Sequence, residues 1–279
     1  MNGGLVKLKE VFDQLNPSEQ KVARYILKYP ERIFDQSIAQ LADLSGASQS
    51  AIIRLCKSLE MKSYQDLKIR VIGDLQKVEE QGYQDIRPSD SLETIIQNVS
   101  SNNIQSIRDT VKILEPHLVA RAVELLSRAE RIFFFGVGAS NLIAQDAQQK
   151  FLRINKTAVA FADSSLQITT SVTITKNDVA VGISYSGETR EVITAMKHAR
   201  SSGVPTICIS KFGNTSLSAV ADVPLRISST DSDIRSGAIA SRITQLNVID
   251  ILYLAVASKD YGKSVELLNR TRRAIRGSR

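Results

Sequence analysis

Cysteine and histidine are scarce in this chain of 279 residues, with two of each. Cys56 and Cys208 sit far apart, in a helix-like and a strand-like apolar run, which excludes a disulfide framework and offers no metal-ligand spacing. A reducing compartment fits that usage. His117 lies beside Pro116 and His198 within a helical run, so imidazole bases for proton transfer are few. Residues Met1 to Glu10 lack the apolar core of a signal peptide, and no stretch reaches the roughly 18 uncharged apolar residues of a membrane span. The expectation is a cytoplasmic protein that is neither secreted nor membrane-bound. Internal repeats and low-complexity segments are also lacking.

What is present is an ordinary globular composition, 43% hydrophobic, in a chain long enough for two domains with separate cores. The net charge of +7 permits a polyanionic partner without locating its face. Residues 1–79 hold 12 Lys and Arg against 10 Asp and Glu, whereas residues 131–279 hold 19 against 11. Much of that excess is the tail Lys263, Arg270, Arg272, Arg273, Arg276 and Arg279, which reads as a solvated terminal helix.

Residues 1–77 read as all helix. Leu5, Leu8, Phe12 and Leu15 have helical spacing, and Asn16-Pro17 with Glu19 restarts the chain as N-cap, first helical residue and N3 acid. Ser37 and Gln40 form a capping box opening a third helix, Gly46 breaks it, and Ser48 caps a fourth. That fourth helix places Ile52, Leu55, Cys56 and Leu59 on one inward face. Residues 78–91 are polar and turn-rich, a linker. Helical patterns fill Leu92 to Leu114 and Leu118 to Ala129. Beyond Arg131, apolar runs at Ile132–Phe135, Ala158–Phe161, Val179–Ile183, Thr206–Ile209 and Val223–Ile227 alternate with helices. Such runs predict a doubly wound α/β domain over 92–279 with a five-stranded parallel sheet covered on both faces, so the whole chain is classed α + α/β.

Two capped helices joined by Ser45-Gly46-Ala47 match the short turn of a helix-turn-helix. The outward residues Ser48, Gln49, Ser50, Ile53, Arg54 and Lys57 suit phosphates, base edges and a thymine methyl. A helical oligomerisation module with a solvated face is the competing reading. In the α/β part, Ser184-Tyr185-Ser186-Gly187-Glu188-Thr189 follows a buried run and precedes a helix, where free amides and a helix dipole favour phosphate. A turn that merely caps its helix is the alternative. Phe135-Gly136-Val137-Gly138-Ala139-Ser140-Asn141 is the first strand-to-helix turn, but Asn141 replaces the third glycine of a dinucleotide fingerprint, despite Asp163 at the end of the second run. No cofactor or metal is expected.

These motifs carry a resemblance. The Ser184–Thr189 turn, the Gly136–Ser140 turn and Ser241-Arg242-Ile243-Thr244-Gln245-Leu246 together resemble the sugar isomerase (SIS) domain, and Ser48 to Lys68 resembles the helix-turn-helix of RpiR-type bacterial regulators. Gly138-Ala139-Ser140 with Asp146 to Ile154 is similar to the branch named for MurR, a repressor of muramic acid catabolism. The resemblance implies a cytoplasmic transcriptional repressor, a homodimer or homotetramer, that binds operator DNA and senses a phosphorylated sugar or amino sugar such as N-acetylmuramic acid 6-phosphate. It also implies Gly138, Ser140, Ser184, Ser186, Gly187, Thr189 and Gln245 as ligand contacts and no catalytic residue. A sugar-phosphate isomerase is the alternative, with Glu188 or Glu191 as its base. Glu60 departs from the family, which has glycine after the recognition helix.

Overall fold

The computed structural model describes residues 3–75, 89–229 and 238–277. It divides into two compact units, Met1–Ile113 with Ser228–Thr230, and Leu114–Ile227 with Asp231–Arg279. The first unit contains α1 (Gly4–Val11), α2 (Pro17–Lys28), α3 (Ile38–Ser45), α4 (Gln49–Ser58), α5 (Tyr64–Leu75) and α6 (Leu92–Ile113). Its core is built from the inward faces of the first five, including Leu8, Val22, Ile26, Leu41, Ile52, Leu55, Leu59, Leu67 and Val71, all fully buried. Asp74 on α5 caps α1, its carboxylate accepting from Gly3 N at 2.7 Å and Leu5 N at 2.9 Å.

Local chemistry sets the helix ends. Ser37 and Gln40 make the expected reciprocal box on α3, and Ser48 Oγ accepts from Ala51 N at 3.2 Å. Asn16 holds the N-cap position of α2 through its backbone carbonyl, with no side-chain cap. After α4, Met61 N bonds to Cys56 O and Glu60 N to Lys57 O, the paired bonds of a Schellman turn. Glu60 thus takes the left-handed position, at φ 54°, where a side chain costs about 1 kcal/mol that glycine avoids. The turn forms without the family's glycine.

The first boundary differs from expectation. Helix α6, assigned to the second domain by its position after the polar stretch, groups with the first unit, where it packs on α1. Of the expected linker 78–91, residues 78–88 lie outside the described residues.

The second unit begins with α7 (Pro116–Arg128) and continues β1 (Arg131–Gly136), α8 (Ala139–Leu152), β2 (Thr157–Ala160), α9 (Ser164–Ser171), β3 (Val179–Ile183), α10 (Arg190–Ser201), β4 (Thr206–Lys211), β5 (Val223–Ile227), α11 (Ile239–Ser258) and α12 (Tyr261–Gly277). The five strands are parallel, in the order β2-β1-β3-β4-β5. Alternate side chains decide which helices each face receives. Ile132, Phe134, Val181 and Ile207 pack with α7, α8 and α11, while Phe133, Phe135, Ala180 and Cys208 pack with α10. Burial pushes the Cys56 and Cys208 thiols up to about 11, so both stay protonated and inert. Helix α11 is long and apolar enough, by length and composition, to cross a membrane, yet Val248, Ile249, Leu252 and Val256 are buried in the sheet's core.

Candidate functional site

In this strand order the chain leaves β1 towards one edge and β3 towards the other, so β1 and β3 form a topological switch point. Ligands of open α/β sheets bind in the crevice such a divergence leaves beyond the carboxyl ends. Gly136 pairs with Ile183 across β1 and β3. The turns that follow, one carrying Gly138 and Ser140 and the other Ser184 to Thr189, therefore emerge from adjacent strands roughly 5 Å apart.

The first turn is tightly pinned. A Cβ on Gly136 would stand 2.7 Å from Ser140 O, so only glycine lets α8 start this close to its strand. Asn141 Nδ2 donates to Phe161 O at 2.7 Å and Gly136 O at 3.2 Å, and Gln167 Nε2 donates to the same two carbonyls at 2.7 and 2.8 Å. Asn141 and Gln167 thereby tie the carboxyl ends of β1 and β2 together. Asn141 thus braces the sheet at the position where a dinucleotide fingerprint needs glycine, and Asp163 caps α9, accepting from Leu166 N at 2.9 Å. Ser140 Oγ lies 3.4 Å from Gln245 Nε2, which brings the α11 candidate to the same turn.

The second turn spends its hydroxyls on each other. Ser184 Oγ, buried, is 2.8 Å from Thr189 Oγ1 and 3.4 Å from Ser186 Oγ. Gly187 N donates to Ser184 Oγ and Glu188 N to Ser186 Oγ, both at 3.2 Å. Thr189 occupies the N-cap position of α10 but makes no capping bond, and Gly138 begins α8 without one. Helices α3, α4 and α9 are each capped by a side chain, whereas α2, α7 and α11 are not. Two helix N-termini without side-chain caps thus meet at the switch point, with their positive dipole ends towards one crevice.

Three further residues shape this turn, and sequence reasoning missed their partnerships. Gly187 has φ 70°, and a Cβ there would stand 2.4 Å from Thr215 Cβ. Glu188 accepts from Ser216 N at 2.9 Å and from Ser216 Oγ at 2.6 Å, latching the turn to the loop after β4. Those bonds, with the nearby Lys211 charge, hold its carboxyl below the usual carboxylate range. A general base serves best with its pKa near the working pH, and Glu188 is moved the other way. Lys211 ends β4 at the carboxyl edge, two residues beyond the apolar run that signalled the strand. His198 Nδ1 pairs with Ser171 Oγ at 3.1 Å between α10 and α9, and His117 and Glu191 are exposed.

In the first unit, all six outward residues of the fourth helix and its cap are exposed: Ser48, Gln49, Ser50, Ile53, Arg54 and Lys57. Ile53 is 51% exposed. Ser48 and Ser50 share a hydroxyl bond of 2.8 Å. Arg54 also holds its own unit together, because its guanidinium lies 3.3 Å from Ser18 Oγ and 3.5 Å from the buried Glu19 carboxylate on α2.

Comparison with known proteins follows the same division. Residues 2–78 match the helix-turn-helix domain of the rpiR family and residues 125–255 the SIS domain. The HTH-type transcriptional regulator YbbH of Bacillus subtilis is 42% identical over 99% of this chain and 98% of its own. The regulator HexR of Pseudomonas aeruginosa is 35% identical over 92% of this chain and 90% of its own. Among solved structures, the Vibrio vulnificus NanR protein complexed with ManNAc-6P aligns with a TM-score of 0.63 at 25% identity, covering 99% of both chains. With its N-terminal helix-turn-helix domain and its C-terminal SIS domain, the chain belongs to the RpiR family of helix-turn-helix transcriptional regulators that carry a SIS domain.

Proposed function

We propose that this regulator represses genes of sugar or amino-sugar catabolism and that a sugar phosphate, held at the β1/β3 switch point, sets its affinity for operator DNA. The observation that carries this reading is the second turn: three clustered hydroxyls stand before a helix whose N-terminus they leave uncapped. A dianionic phosphate accepts from the Ser186 and Thr189 hydroxyls and from the first amides of α10, while Ser140 and Gln245 face the sugar and Lys211 supplies the nearby cation. Support also comes from NanR, a relative over the whole chain, whose structure holds ManNAc-6P. N-acetylmuramic acid 6-phosphate is the effector to try first. The isomerase alternative would call on Glu188, whose carboxylate is instead engaged by Ser216 N and Oγ.

Each charge-assisted bond contributes about 1.5–3 kcal/mol, so Ser186→Ala should weaken phosphosugar binding about tenfold or more. A calorimetric titration that gives the wild-type affinity for this variant removes Ser186 from the site.

A helix-turn-helix reads a palindromic operator as a twofold pair, so a second copy is required. Helix α6 offers the surface. Leu92, Ile96, Ile104 and Val111 are 50–74% exposed, while Asn98, Gln105, Ser106 and Thr110 are buried. The apolar row is self-complementary when two α6 helices run antiparallel, with Leu92 opposite Val111, Ile96 opposite Ile107 and Val99 opposite Ile104. Ile96→Glu with Ile104→Glu should convert the dimer to monomer in sedimentation; an unchanged dimer places the contact elsewhere.

A further inference from the structure

A cavity of about 370 Å³ opens at the amino edge of the sheet. Lys156, which immediately precedes β2, lines it with Asn155, and Lys259, Asp260, Lys263 and Ser264 line it from the end of α11 and the start of α12. Strands of five or six residues separate this edge from the Ser184 turn by roughly 15–20 Å. The two places do not share residues.

Its charge is unbalanced. Three lysines and one aspartate line it, and among the described residues none of these four side chains joins an ion pair. Lys156 is fixed rather than mobile: Asn155, at φ 60°, turns the chain back after α8, and Lys156 Nζ donates to Ser127 O and to Ala129 O. Burial, and then the positive charge of Lys263, lower its pKa. The walls between the charges are apolar, formed by Ile154, Val256 and Leu267. The volume falls in the range of small-molecule pockets.

From this arrangement we infer that the amino-edge cavity is a second anion site, for a small phosphate monoester whose terminal phosphate sits among Lys156, Lys259 and Lys263 and whose organic part lies on the apolar wall. A recess takes a terminal dianionic phosphate, which the internal diesters of a nucleic acid do not present. The inference goes beyond the effector reading and stands independently of it.

The test is titration calorimetry of the full chain with inorganic pyrophosphate at constant ionic strength. Lys259→Gln with Lys263→Gln, both exposed and remote from the core, should lower pyrophosphate affinity at this site at least tenfold. Ser184→Ala with Ser186→Ala should leave that affinity unchanged, which separates this site from the carboxyl-edge one. Arg270→Gln with Arg273→Gln removes the same charge from the exposed face of α12 and should have no effect. The proposal is overturned by a wild-type isotherm from the lysine variant, by an equal loss in the arginine variant, or by loss of all pyrophosphate binding in the serine variant.

Discussion

Gly187→Ala should cost the protein about 3 kcal/mol of stability and lower phosphosugar affinity about 100-fold. Two effects add. An L-residue at φ 70° is strained by about 1–2 kcal/mol, and the new methyl would stand 2.4 Å from Thr215 Cβ and Oγ1, inside any permitted contact. Thr215 cannot withdraw without cost, since its hydroxyl accepts from Ser218 N at 3.1 Å and its amide donates to Ser218 Oγ at 3.1 Å. The turn itself must therefore shift, and with it the amides of Gly187 and Glu188 that now meet the serine hydroxyls. A melting temperature lowered by about 6–12 °C accompanies that loss in a unit of this size. Thr215→Gly added to Gly187→Ala removes the overlap but not the backbone strain, so it should recover part of the stability. Calorimetric melting of the single and double variants checks the stability, and a phosphosugar titration of Gly187→Ala checks the affinity.

Gln49→Ala with Lys57→Ala should reduce operator affinity about 100-fold while leaving phosphosugar affinity intact. A side-chain amide bidentate to adenine contributes about 1–3 kcal/mol of discrimination, and one lysine–phosphate contact contributes about 0.9 to the slope of log affinity against log salt. The double variant should thus show both a relaxed base preference at one operator position and a slope shallower by about one. Both residues are exposed, and neither side chain makes a hydrogen bond or ion pair among the described residues, so stability should not change. Arg54→Ala is the instructive contrast. It removes a cation proposed to face DNA, but it also takes away the partner of Glu19, whose side chain is 4% exposed. A buried carboxylate left with one partner fewer costs about 1–3 kcal/mol, so Arg54→Ala should lose DNA affinity and melt early. Fluorescence anisotropy over a salt series, beside melting curves, separates the two behaviours.

What could be read from the residues in order is what depends on neighbours in the chain. The capping box at Ser37, the breaker at Gly46 and the cap at Ser48 are each contained within a few residues, and they frame α3 and α4 as expected. The five apolar runs became the five strands because a sheet buried on both faces needs no alternation of polarity. The hydroxyl turn was visible for the same local reason. The partnerships that position it were not: Glu188 and Ser216 are 28 residues apart, and Asn141 and Gln167 meet only because β1 and β2 are neighbours. Lys211 carries no such signal, because the apolar run ends at Ile209, although β4 continues to Lys211 at the carboxyl edge. Arg54 read as a surface cation because Glu19 reaches it only through the packing of α2 on α4. Helix α6 was assigned by its position in the chain. Its polar residues point inward, so hydrophobic periodicity could not indicate which unit it joins.

Coupling between the two units is tested most directly by measuring DNA affinity as the crevice fills. A duplex selected by the protein from a random library is titrated with the full chain, with and without saturating N-acetylmuramic acid 6-phosphate and related amino-sugar phosphates. One of these ligands should shift the DNA Kd by fivefold or more in the wild type, the usual scale of coupling between two sites, and the shift should vanish with Ser184→Ala and Ser186→Ala together. A DNA affinity that no sugar phosphate alters, or a shift of the same size in the serine variant, would contradict a phosphosugar-controlled regulator.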